Sequence, residues 1–229
     1  MKTDRAIQEV FWLFAAIAAL SASPGAWAAD DPVKIDNAQT RVLVVNSPSD
    51  AKSQMHEHKM NRVMIYLDPG QMTLTSASGE VQTLNFKAGE VLWSPAAGMH
   101  VSHNISRHPV RIVEVELKSK PDSTKAASKT GALDWVKVDP RRYTVELEND
   151  QVRVVRGRWN PGDKGLLHEH PFNYMVAFLT DAKLKVTDPE GEAHMATNAG
   201  GDVAWGLASK HIEENINDKP LEAVVVEFK

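Results

Sequence analysis

Six histidines carry the chemistry this sequence can do. His56-Glu57-His58 and His168-Glu169-His170 each set two imidazoles two residues apart. On an extended strand, positions i and i+2 share a face, so each pair projects together while Glu57 and Glu169 project away. A third imidazole follows each pair: His100 comes 42 residues after His58, and His211 comes 41 after His170. Three neutral imidazoles at one point suit a divalent transition ion (Fe, Zn, Ni, Cu or Co) better than Mg or Ca. Such an ion acts as a Lewis acid, or brings a small substrate to open coordination positions. Asn104 and Asn215, four residues beyond the third histidines, share their face and are placed to orient a ligand or touch a bound molecule. Tyr174 is the best unmatched polar group for an acid or base role.

The two histidine sets belong to one unit written twice. At an offset of 112 residues His56-Glu57-His58 repeats as His168-Glu169-His170, Asn61 as Asn173, and Gly89-Glu90-Val91-Leu92-Trp93 as Gly201-Asp202-Val203-Ala204-Trp205. After one deletion, His100, Asn104 and Val115-Glu116-Leu117 repeat as His211, Asn215 and Val226-Glu227-Phe228. A register kept this long means two homologous domains. Each reads as short strands, among them Val63–Leu67, Val81–Phe86 and Arg111–Leu117 in the first and Val152–Trp159, Tyr174–Leu179 and Leu221–Phe228 in the second. Turns such as Asp68-Pro69-Gly70 and Asp188-Pro189-Glu190-Gly191 punctuate them. No sustained 3.6-residue apolar period appears after the N-terminal segment, so an all-β sandwich or barrel is expected in each half.

Composition narrows the rest. The 229 residues carry a formal charge of -4, 42% are hydrophobic, and cysteine is absent. That excludes disulfides, thiolate nucleophiles and Cys-type zinc sites, and gives no electrostatic reason to expect nucleic acid. Phe11 to Leu20 is an uncharged apolar run, followed by Ala26-Trp27-Ala28, a small-x-small site. This predicts a signal peptide over residues 1–28, and hence a periplasmic or secreted protein with no membrane association after cleavage. The domains are then 29–118 and 133–229, joined by the polar linker 119–132. A small-molecule ligand or substrate is the expected partner, with a homodimer left open. Arg156 and Arg158 share a strand face and would suit either a carboxylate or solvent. Trp93 and Trp205 read as barrel packing, and His103, His108 and His194 as exposed.

The paired motifs resemble the cupin superfamily. Its second motif, G-x5-P-x-G-x2-H-x3-N, is followed by Gly89, Pro95, His100 and Asn104, with Ala97 at the inner glycine. The second copy keeps Gly201, His211 and Asn215 but has Leu207 in place of proline. Gly162, separated from His168 by five residues, opens the first motif of that copy. The resemblance covers both halves and implies a bicupin: two tandem double-stranded β-helix (jelly-roll) barrels, each with a metal at its core. The family's glutamate ligand falls four or five residues after the second histidine, where this chain has Arg62 and Val63, or Tyr174 and Met175. Neutral three-histidine sites are therefore expected, with the second firmer because Arg62 puts a cation beside the first. Within cupins, such a site implies dioxygenase-like chemistry rather than a manganese decarboxylase. A non-catalytic ligand-binding module and a structural cupin are the competing readings.

Overall fold

The computed structural model describes residues 33–122 and 131–229. The expected signal peptide and residues 123–130 of the expected linker lie outside the described residues. The first copy runs β1 (Val33–Asp36), β2 (Thr40–Ser47), β3 (His56–His58), β4 (Arg62–Tyr66), β5 (Gly70–Ser76), β6 (Val81–Phe86), β7 (Val91–Ser94), β8 (Ala97–Asn104) and β9 (Val110–Leu117). The second opens with a short helix, α1 (Trp135–Val138), then β10 (Tyr143–Glu148), β11 (Val152–Trp159), β12 (His168–His170) and β13 (Tyr174–Phe178). It continues through β14 (Ala182–Thr187), β15 (Ala193–Asn198), β16 (Val203–Gly206), β17 (Ser209–Asn215) and β18 (Leu221–Phe228).

Each copy folds into two antiparallel sheets. In the first copy they are β1-β2-β9-β4-β7 and β3-β8-β5-β6, and in the second β10-β11-β18-β13-β16 and β12-β17-β14-β15. The strand order is the same in both. This is the expected jelly-roll barrel, made twice.

Period-two alternation explains where the core sits. On β4 and β9, Val63, Ile65, Val113, Val115 and Leu117 point one way, and Met64, Tyr66 and Ile112 point the other. The second set fills the first barrel. The first set meets Val152, Val154, Met175, Ala177, Val224, Val226 and Phe228 of the second copy in one shared core. The two five-stranded sheets therefore pack back to back, each apolar on both faces. A fully buried valine or isoleucine contributes about 1.5–3 kcal/mol relative to exposure, so neither outer face is stable in water alone.

Polar contacts cross the same junction. Arg156 is bound by Glu146 and Glu222, and its guanidinium also donates to the Gly89 carbonyl of the other copy. Gly89 turns with φ of 76°, a left-handed conformation that side chains resist, which brings that carbonyl within reach. Arg156 was expected on a ligand-facing or solvated strand face. It is instead 5% exposed and committed to the junction, while Arg158 stays exposed.

Candidate metal centres

Strand pairing assembles both histidine triads. His56 lies opposite His100, and His168 lies opposite His211, in adjacent antiparallel strands. The i, i+2 spacing then adds His58 and His170 on the same face. In each triad one ligand nitrogen per ring lies within 4.8 Å of the others. Nitrogens around one zinc-like ion sit about 3.4 Å apart, so small ring movements close either set on a metal.

The nitrogen facing away from each site is held. Backbone carbonyls two residues upstream take Nδ1 of His56 (2.8 Å), His100 (3.2 Å) and His168 (2.9 Å). A carbonyl only accepts, so these rings carry their proton on Nδ1 and present the Nε2 lone pair. Nε2 of His168 and of His211 is buried with no hydrogen-bond partner. A buried donor set without partners is costly unless something binds it, and a divalent ion fits.

A second layer repeats as well. His170 Nδ1 is 3.2 Å from Glu227 Oε1, Arg153 Nε donates to Glu227 Oε2 at 2.6 Å, and Arg153 Nη1 donates to Asp134 at 2.6 Å. In the first copy His58 Nδ1 is 3.9 Å from Glu116 Oε1, and Arg41 reaches Glu116 Oε2 at 3.4 Å. The His58 imidazole, then Arg41, outweigh burial and hold the Glu116 carboxyl below the usual range. An arginine–glutamate–histidine relay thus orients His170 in the second copy, and the first copy keeps the same three residue types in a looser, ion-pair arrangement. The sequence marks them only by position: Glu116 and Glu227 are buried carboxylates that recur at matched repeat positions.

One expectation is corrected. The second triad does have a carboxylate beside it, from a strand the family pattern does not use. Glu213 follows His211 by two residues on β17, which places it on the same face. Its oxygens lie 3.4 Å from His211 Nε2 and 4.0 Å from His168 Nε2. Tyr143 donates to it at 3.1 Å. Burial opposes its ionisation, but the adjoining His211 and the other two rings hold its carboxyl down to about 2. Burial also lowers His168, to about 4, against the pull of Glu213. The first copy has Ser102 at the matching position, so there the neutral three-histidine set stands.

The two lumens differ. His168, His170 and His211 are 0, 3 and 6% exposed. Trp135 of α1 packs at 4.4 Å from His170, and Tyr174 stacks on the same ring at 4.4 Å and 27°. Opposite Tyr174 is Gly206, where any Cβ would fall 2.2 Å from the tyrosine ring. The phenol of Tyr174 is pushed up to about 12, chiefly by burial and then by Glu213. Kept protonated, it suits holding His170 better than accepting a proton. In the first copy the matching cross-strand pair is Arg62 and Ser94, hydrogen-bonded at 2.9 Å. Arg62 is 6% exposed, and its charge is met by Glu114 at 3.1 Å. A cavity of about 490 Å³ opens there, lined by the triad, Arg62, Ser102 and Glu114 and by apolar Met64, Met72 and Leu74.

Other expected site residues fall elsewhere. Asn104 and Asn215 are fully buried, but each carboxamide staples loops. Asn104 donates to Ser47, Pro48 and His108 carbonyls, and Asn215 to those of Asn160 and Lys219. Neither is bonded to a ligand histidine, because the turn after the strand claims the side chain first. His103 is paired with Asp50 at 2.7 Å rather than free in solvent. Trp93 and Trp205 pack on the shared core, as expected.

Known proteins agree with this architecture. No protein-family model matches the sequence. A stretch of 85 residues is 39% identical to the beta-alanine degradation protein BauB of Pseudomonas aeruginosa, covering 37% of this chain and 86% of that one. Among solved structures, AerE from Microcystis aeruginosa superposes with a TM-score of 0.62 at 12% identity, over 83% of this chain and 88% of AerE. Oxalate decarboxylase from Bacillus subtilis, a protein with Mn(II) centres, superposes at 0.57 and 13% identity, over 83% of this chain and 69% of that one. At such identities the two structures speak for the fold alone. The chain has the cupin fold, and its two tandem barrels give it a bicupin architecture. Its two histidine triads fit a metal-binding cupin.

Proposed function

We propose that this chain is an exported, metal-dependent enzyme that acts on a small molecule in the first barrel. One observation carries the reading: His56, His58 and His100 converge on the wall of a cavity of about 490 Å³. Cavities of about 300–1,000 Å³ take small-molecule ligands. A divalent ion held by the three rings supplies Lewis-acid or oxygen-activating chemistry. The chain supplies the rest. Glu116, paired with Arg41, lies behind His58, and Met64, Met72 and Leu74 keep water from one wall. The Arg62–Glu114 ion pair makes another wall polar. The likeness to a protein named for beta-alanine degradation makes small amino and carboxylic acids the first substrates to try. The filled second lumen favours a structural role for that copy.

The test is oxygen uptake by Fe(II)-loaded protein against a panel of small thiols, diketones and beta-amino acids. Uptake with one class, lost in His58→Ala, supports the reading. Ligand binding by calorimetry without turnover on any metal would replace the enzyme with a binding module. Export is tested by N-terminal sequencing of secreted protein: a start at Ala29 supports it, and intact Met1 on the folded bulk rejects it.

A further inference from the structure

We infer that Glu213 is the fourth ligand of a closed, structural metal site in the second barrel, so that the two copies hold metal for different ends. The inference does not depend on turnover in the first barrel. Glu213 presents its carboxylate at 3.4 Å from His211 Nε2 and 4.0 Å from His168 Nε2, and neither nitrogen has a hydrogen-bond partner. Both rings are more than nine-tenths buried. The Tyr143 hydroxyl, 3.1 Å from Oε2, fixes the carboxylate from behind. The three rings already lie within mutual ligand reach, and an ion held by them would draw one Glu213 oxygen inward as a fourth protein ligand, the number a closed zinc-like site takes. Trp135 and Tyr174, with ring centroids each 4.4 Å from that of His170, crowd this ligand from two sides. A site without an open position contributes to folding rather than to chemistry. The carboxylate comes from the strand of the third histidine, which is why the position after the second histidine is free to be Tyr174.

The experiment uses the full chain with His56→Ala and His58→Ala, which leaves one triad. Zinc content, zinc affinity and Tm are measured with and without chelation, then repeated after adding Glu213→Gln or Glu213→Asp. The parent should retain one zinc and lose Tm on chelation. Glu213→Gln should weaken zinc binding about tenfold or more, with the metal-free Tm unchanged and part of the affinity recovered by Glu213→Asp. Zinc affinity unaltered by Glu213→Gln, or equal Tm with and without zinc, overturns the inference. A second measurement needs no Glu213 variant. The Co(II)-loaded parent should show the intense visible absorption of a four-coordinate ion, and the weak absorption of a six-coordinate ion carrying water would overturn closure.

Discussion

Asn61 donates to Gln151 across the junction at 2.6 Å, and Asn173 donates to Gln39 at 2.7 Å with the copies exchanged. Asn61 matches Asn173, and Gln39 matches Gln151, at the 112-residue repeat offset. Reciprocal contact of this kind is the signature of a two-fold interface, here within one chain. Each asparagine also accepts from a backbone N–H, that of Ala96 or Ala208, just ahead of the strand bearing the third histidine. The junction and both centres are therefore mechanically joined.

Removing the bond should be costly on one side. Gln151 is 2% exposed, so Asn61→Ala leaves a buried acceptor without its partner, at about 1–3 kcal/mol. Asn173→Ala should cost less, because Gln39 is only half-buried. Urea denaturation of the two variants checks the order, and equal midpoints would contradict it.

Nicking should not separate the copies. Trypsin is expected to cut at Lys120, Lys125 or Lys129, since polar linkers are preferred sites. The shared valine core should then hold both fragments together in size-exclusion chromatography, and part them only in denaturant. Free fragments eluting in plain buffer would show that the back-to-back contact is weak.

Glu227→Gln should loosen the second centre by way of His170. Loss of the carboxylate behind a ligand histidine weakens metal binding by about 10–100-fold. It also leaves Arg153, 3% exposed, with Asp134 as its remaining carboxylate, and breaking a buried pair costs about 3–5 kcal/mol. Glu116→Gln should be milder, since Arg41 and His58 are more exposed. Zinc titration and thermal melts compare the two.

All three tyrosines should titrate late. Burial first, then nearby glutamates, push Tyr66 and Tyr174 up to about 12 and Tyr143 well above the usual value. The unfolded chain releases these protons near pH 10, roughly, the ordinary phenol value. Stability should therefore fall as pH rises above that value, levelling off only past the folded pKa values. Absorbance at 295 nm should show little tyrosinate before unfolding. A phenolate step at the ordinary value in folded protein would contradict the burial.

Much of this was legible before any coordinates. Duplication singles out the six clustered histidines, because a chance histidine does not recur with its neighbours at fixed offset. Strand limits at Val81–Phe86, Val152–Trp159 and Leu221–Phe228 came through because turns bound them sharply. Glu213 is not marked by the family pattern, whose carboxylate follows the second histidine. Yet it stands between His211 and Asn215, both already placed on the inner face. Helix α1 is too short to show a helical period, so nothing announced Trp135 as the plug against His170. The shared core was written in the apolar runs Val63–Ile65 and Val224–Val226, where both faces of a strand are hydrophobic. That pattern says doubly buried, but not by what.

The difference between Ser102 and Glu213 depends on the copies being fused. Two separate chains meeting through the Asn61–Gln151 contact would be identical, and any residue changed in one lumen would change in both. A peptide linkage lifts that constraint: each half inherits the same packing surface from its twin yet mutates alone. One barrel can then sacrifice its hollow to become an anchor, while the other keeps its hollow and borrows the anchor's rigidity.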